Sequence, residues 1–123
     1  MIVVDTDVFI DFFRNQQVAV EFFRSASASE ISFSAITEAE ILSGKECDHA
    51  DVRGKVLHFL SGFTKCGVDN RIAQTAGFFR RTYGLTLGDS LIAATAFHSQ
   101  AALCTRNKRD FEKVREITVK GPS

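Results

Sequence analysis

The run Met1-Ile-Val-Val-Asp5 sets a carboxylate directly behind β-branched residues. Residues 2–4 read as a buried strand, so Asp5 falls at the rim of a sheet. In open α/β sheets, ligands collect outside the carboxyl ends of the strands. This one feature therefore constrains both the fold and the place where chemistry is expected. Further polar clusters follow at wide intervals, around Glu40, Asp89 and residues 107–110, and each opens or caps an apolar segment. Such a pattern gathers distant carboxylates into one acidic pocket suited to a divalent cation.

The rest of the chain alternates between helical and extended patterns. Thr6 or Asp7 can cap a helix running to about residue 14, and a second helix covers about 18–24. Residues 30–33 form a short strand candidate, after which Ser34 caps a helix through 43 with Gly44 near its end. A helix is expected over about 52–60 and a weaker strand over 64–68. Ile72, Ala76, Phe79 and Tyr83 recur at helical spacing, which marks an amphipathic helix over 71–83. Asp89 begins another, with Ile92, Ala93, Ala96 and Phe97 on its inner face. Residues 101–105 read as a strand, 107–114 as a short helix and 116–119 as a terminal strand. Strands separated by helices imply an α/β fold with a mostly parallel sheet covered on both faces. One domain over 1–119 and a tail over 120–123 are expected.

Composition narrows the class. The chain has 123 residues, 45% hydrophobic and 24% charged, which are globular values. Asp5, Asp7 and Asp11 break the N-terminal apolar segment, so it does not read as a signal peptide, and no run approaches the ~18 apolar residues of a membrane span. Cys47, Cys66 and Cys104 are odd in number and scattered, which argues against a disulfide framework or zinc knuckle and fits a reducing cytoplasm. Lys plus Arg equals Asp plus Glu at 15 each. That balance excludes a strong nonspecific polyanion binder, but not an enzyme acting on RNA with a local basic rim. The chain carries 12 Phe against 1 Tyr and no Trp. Clustering of Phe9, Phe12, Phe13, Phe22 and Phe23 reads either as a Phe-rich core or as a groove for a protein partner.

Taken singly, each acidic residue has an ordinary explanation. Asp5 and Asp7 serve as helix caps, Glu40 as a solvated helix charge, and Asp89 as a first-turn carboxylate favoured by the helix dipole. Together they are harder to dismiss. Asp89 opens an otherwise apolar helix, and Glu40 lies one turn beyond Thr37 on the same helical face. Carboxylates 4 Å apart repel by on the order of 4 kcal/mol at an effective dielectric near 20, so a cluster persists only when protons or a cation neutralise it. Oxygen ligands without His or Cys select Mg²⁺ or Mn²⁺. Such ions activate water and clamp a phosphodiester for in-line displacement. His49, His58 and His98 have no ligand spacing.

Four segments then carry a family resemblance. Residues 2–14 (IVVDTDVFIDFFR), 36–44 (ITEAEILSG), 88–96 (GDSLIAATA) and 103–111 (LCTRNKRDF) resemble, in order, the four acidic motifs of PIN-domain proteins. The compact length is similar to VapC-type toxins of bacterial and archaeal toxin–antitoxin pairs. The resemblance implies a three-layer α/β/α fold with four to five strands, and a cytoplasmic Mg²⁺- or Mn²⁺-dependent endoribonuclease. It further implies a cognate antitoxin, an RNA substrate and a homodimer. The family acids map onto Asp5, Glu40 and Asp89 as metal ligands. The fourth position is Asn107, where many relatives have Asp; Asp110, one helical turn later, is the candidate for the missing carboxylate, and Thr105 for a supporting hydroxyl. Arg14, Lys45, Arg80, Arg81, Arg106, Lys108 and Arg109 are candidates for a phosphate-guiding rim. Two other readings compete. Asp5-Thr6-Asp7-Val8 also fits the nucleophile motif of haloacid-dehalogenase-like phosphatases, although no second acid follows Gly88-Asp89. A non-catalytic binding module of PIN type is the other.

Overall fold

Strand β1 (Ile2–Val4) lies at the centre of a five-stranded sheet. The computed structural model describes residues 1–123. From β1 the chain builds outward on one side through β2 (Ile31–Ser34) and β3 (Thr64–Cys66), then crosses back to lay β4 (Ala102–Cys104) and β5 (Val119–Lys120) on the other. All four pairings are parallel. The strand order reverses between β1 and β4. That is the switch point where a crevice opens at the carboxyl ends, and Asp5 and Thr105 are the residues that leave those strands.

Alternation along the strands separates two cores. Val3 and Leu103 face one side, where α5 (Asn70–Tyr83) and α6 (Leu87–His98) bury Ile72, Phe79 and Ile92 with a run of alanines. Val4 and Cys104 face the other. There α1 (Thr6–Phe13), α2 (Gln17–Ser25), α3 (Ala35–Leu42) and α4 (Ala50–Leu60) contribute Val8, Phe9, Phe22, Ile41, Val56 and Leu60. The result is the expected three-layer α/β/α arrangement. Ala93, Ala94 and Ala96 are fully buried; their small side chains let α6 lie close against the sheet and α5.

Several boundaries depart from the sequence expectations. Helix α1 is capped by neither Thr6 nor Asp7. Asp5 is its cap, with Oδ1 accepting from the Thr6 N–H at 2.8 Å. Helix α6 begins at Leu87 rather than Asp89, because Thr86 Oγ1 accepts from the Asp89 N–H at 3.1 Å and takes the cap position. Gly84, at φ +70, stops α5 and permits that fresh start. Helix α7 covers only Lys108–Phe111, and the last strand falls at Val119–Lys120 instead of 116–119. Lys120 lies opposite Cys104, so pairing extends into the expected tail.

Most of the phenylalanines are core. Phe9 is fully buried and packs against Phe23, Phe33, Phe59 and Phe63 with centroids 5.1–6.3 Å apart. Phe12 stacks on Phe59 at 4.2 Å and 10°. Phe13, at the outer edge of this layer, is exposed. The three cysteines are free thiols. No helix is long and apolar enough to cross a membrane.

Candidate acidic site

An open cavity of about 470 Å³ lies over the switch point, lined by Asp5, Thr6, Asp7, Ile10, Glu40, Asp89, Arg106 and Asn107. Four segments far apart in sequence meet here: the end of β1 with the first turn of α1, the second half of α3, the first turn of α6 and the loop after β4. The sequence-derived residues Asp5, Glu40, Asp89 and Asn107 are therefore brought together on one wall. Asp110 is not on that wall. It stands behind Asn107, whose Nδ2 donates to Asp110 Oδ2 at 2.7 Å.

Asp5 is buried and held at both oxygens. Thr6 N–H binds Oδ1, and Thr105 Oγ1 donates to Oδ2 at 2.8 Å. The Thr105 hydroxyl in turn accepts from the Asn107 N–H at 2.9 Å. Thr105 thus orients Asp5 and ties the α7 loop to it. Burial pushes the Asp5 carboxyl from its ordinary 3.8 to about 8, with the Asp7 and Asp89 charges adding to the rise and the Thr105 and Thr6 bonds opposing it. Burial also raises Asp89, with Glu40 next in effect.

Asp7 is a site residue that sequence reasoning assigned to capping or to the phosphatase alternative. Its carboxyl is raised by burial, while the Arg106 N–H and guanidinium pull it back down. Arg106 lies over it, with Nε 3.9 Å from Asp7 Oδ2 and Nη1 3.0 Å from Asp11 Oδ1. The available signal was the spacing: with Asp5 extended and Asp7 in the first helical turn, both carboxylates reach the same rim.

Glu40 is positioned from the side. Thr6 Oγ1 donates to Glu40 Oε1 at 2.6 Å and lies 2.9 Å from Thr37 Oγ1. A hydroxyl has one proton, so with Glu40 accepting it, Thr37 supplies the proton of the second bond. The other carboxylate oxygen rests on Gly88, where a Cβ would stand 2.7 Å from Oε2. Glu38, outside the cavity lining, pairs with Lys65 at 3.2 Å. Of the basic rim candidates, Arg106 reaches the cavity. Arg80 is spent on the Leu85 carbonyl, and Arg81 lies over the Phe78 ring. His98 is satisfied by Thr75 at 2.7 Å.

The wall offers carboxylate, hydroxyl and amide oxygens and neither His nor Cys. That donor set fits a hard divalent cation. As placed, no three His, Cys, Asp or Glu side chains converge to metal-holding spacing. The donor chemistry fits such an ion.

A parallel three-layer α/β/α domain with carboxylates converging at its switch point is the class that the fold and the cavity define. The PIN-domain family model matches residues 2–117, and the chain belongs to the PIN-domain family. The haloacid-dehalogenase-like reading of Asp5 and Asp7 gives way to that membership. No curated protein matches significantly. Among solved structures, the chain is similar to one from a toxin–antitoxin complex of Klebsiella pneumoniae, at 28% identity and TM-score 0.84, over 100% of this chain and 98% of that one. It is similar to FitAcB from Neisseria gonorrhoeae at 26% identity and TM-score 0.77, over 99% and 98%. VapBC-1 from nontypeable Haemophilus influenzae, at 19% identity and TM-score 0.82 over 99% and 98%, shares the fold.

Proposed function

We propose that this protein is the toxin of a VapC-type toxin–antitoxin pair, a Mg²⁺- or Mn²⁺-dependent endoribonuclease that works in the cytoplasm. The observation that carries the reading is the convergence of Asp5, Asp7, Glu40 and Asp89 on one cavity, with Arg106 the basic residue on its wall. Asp5, Glu40 and Asp89 would hold the ion, with Asn107 contributing a neutral amide oxygen steadied by Asp110. When bound, the ion supplies Lewis acidity and a water of lowered pKa for attack on a phosphodiester. The protein residues do the rest. Thr105 fixes the orientation of Asp5 through its hydroxyl. Asp5, whose proton is favoured by burial, would have to be deprotonated to serve as a ligand. Arg106 on the cavity wall would orient the RNA phosphate.

The antitoxin and homodimer are part of the same proposal. The relatives at 28% and 26% identity come from a toxin–antitoxin complex and from FitAcB. On this chain, Phe12, Phe13 and Phe59 line a shallow apolar groove of about 560 Å³ with Gly54, Lys55 and His58. This groove suits an apolar anchor of an amphipathic antitoxin segment. The test is to incubate metal-stripped protein with RNA, with and without Mg²⁺ or Mn²⁺, beside Asp5→Asn. Cleavage that needs the ion and is lost in the variant supports the reading. Full cleavage in excess EDTA overturns the metal mechanism. Absence of cleavage on any RNA, with tight antitoxin binding retained, selects the non-catalytic binding module.

A further inference from the structure

We infer that Thr6, Thr37 and Gly88 form a positioning device for Glu40, holding its carboxylate in a single conformation before any ligand arrives. The inference rests on the proposed cation site but is separable from it. Glu40 is an exposed helical residue with a flexible side chain. Such a side chain gives up rotamer freedom when it is fixed, so something must hold it if it is to be a preformed ligand. Three elements do so. Thr37, fully buried on α3, and Thr6, buried on α1, place their hydroxyls in line behind Oε1. Gly88, in the first turn of α6, removes the Cβ that would otherwise sit 2.7 Å from Oε2. One carboxylate oxygen is gripped and the other is given clearance.

Packing alone does not call for this chemistry. A valine has the shape of threonine and would fill the α1–α3 contact without a polar atom that needs a partner. The hydroxyl chain ends on a carboxylate that lines the cavity, so its consequence is felt at Glu40. The Gly88 backbone is not in the left-handed region, since only Gly84 among the glycines has a positive φ. What it provides is therefore room, and an added Cβ would displace the carboxylate end of Glu40 rather than strain the backbone.

The experiment is a double-mutant cycle read in two ways. Side-chain NMR couplings of Glu40 in metal-free protein should report one rotamer in the native chain and averaging in Thr6→Val, with Thr6→Ser restoring the single rotamer. Mn²⁺ affinity measured by calorimetry should fall about tenfold in Thr6→Val and in Gly88→Ala, the range usual for groups that orient a ligand. In a Glu40→Ala background neither change should have further effect. Gly88→Ala should lose less affinity when combined with Glu40→Asp, whose shorter side chain withdraws from the added methyl. Rotamer averaging in the native chain, or an equal loss of affinity in the Glu40→Ala background, would overturn the inference. A fixed rotamer without Mn²⁺ binding would leave the positioning device standing and remove the cation site instead.

Discussion

Helix α1 belongs to two regions with opposite energetics. From its middle to its C-terminus it feeds Phe9, Phe12 and Phe13 into an aromatic layer with α2, α4 and the loop after α4, in which ring meets ring at 4.2–6.3 Å. Its N-terminal turn, with Asp5 just ahead of it, presents Asp5, Thr6 and Asp7 to a cavity where burial disfavours the charges the side chains ordinarily carry. One end gains stability from what it buries and the other loses it. The pairing teaches how a small domain sustains an uncomfortable acidic pocket: the strain sits at the strand ends, and the aromatic layer beneath holds the same helix in place.

The comparison breaks first if the aromatic layer is not what holds α1. Phe9→Ala should destabilise the protein by about 3–5 kcal/mol, the usual cost of emptying a buried phenylalanine site. Urea denaturation measures it, and a loss below ~1 kcal/mol would show that α1 is anchored elsewhere.

The opposite sign is expected at the other end of the helix. The folded Asp5 carboxyl titrates near 8 and the unfolded one near 3.8. Below 3.8 both states are protonated, and the stabilising effect of this proton is fully present. Between 3.8 and about 8 the folded state keeps a proton that the unfolded chain has released, so stability falls as pH rises. The limiting slope for one group is about 1.4 kcal/mol per pH unit. Denaturation in EDTA across that range should show the decline in the native chain and a flattened profile in Asp5→Asn. The variant should be more stable by on the order of a few kcal/mol near pH 8. Asn at this position keeps its partners, because the Thr105 hydroxyl can turn its proton toward Asp7 Oδ2, 3.4 Å away. A native profile no steeper than that of the variant would mean that Asp5 is solvated and the strain absent.

Asp89→Asn should move stability in the same direction by a smaller amount, since Asp89 is half-buried and its carboxyl is raised by burial and by Glu40. Equal effects at the two positions would place the strain in the charge cluster as a whole rather than at the buried strand end. Phe13→Ser should change stability by no more than about 0.5 kcal/mol, as expected for an exposed side chain away from the core, while weakening antitoxin binding. Unchanged binding would take the apolar groove out of the partner surface.

How far the sequence revealed this arrangement depended on whether a signal was local. The strand ahead of Asp5, the capped helix after Ser34 and the periodic helix over Ile72 to Tyr83 are all present, because hydrophobic period and capping chemistry act within a few residues. The four acidic clusters were legible as separate segments, and it was their resemblance to the ordered PIN-domain motifs that singled out Asp5, Glu40, Asp89 and Asn107, which line one crevice. What stayed hidden depended on three-dimensional contact. The part of Asp7 in the cavity follows from the turn between β1 and α1, and the placing of Asp110 behind Asn107 follows from the shortness of α7. Competition for a cap misled the start of α6: Asp89 has cap chemistry, but Thr86, three residues earlier, receives its N–H. The division of the phenylalanines between core and surface was equally unreadable, since adjacent Phe12 and Phe13 both meet Phe59 yet only Phe13 is exposed.

The proposal at the centre of this account is that the acidic cavity binds a divalent cation in exchange for the proton that burial keeps on Asp5. Calorimetric titration of Mn²⁺ at pH 7, repeated in two buffers of different ionisation enthalpy, tests it most directly. Binding should release close to one proton per ion, and affinity should rise about tenfold per pH unit below 8. Both effects should disappear in Asp5→Asn. Binding with no proton release, or proton release that survives in Asp5→Asn, would contradict the account.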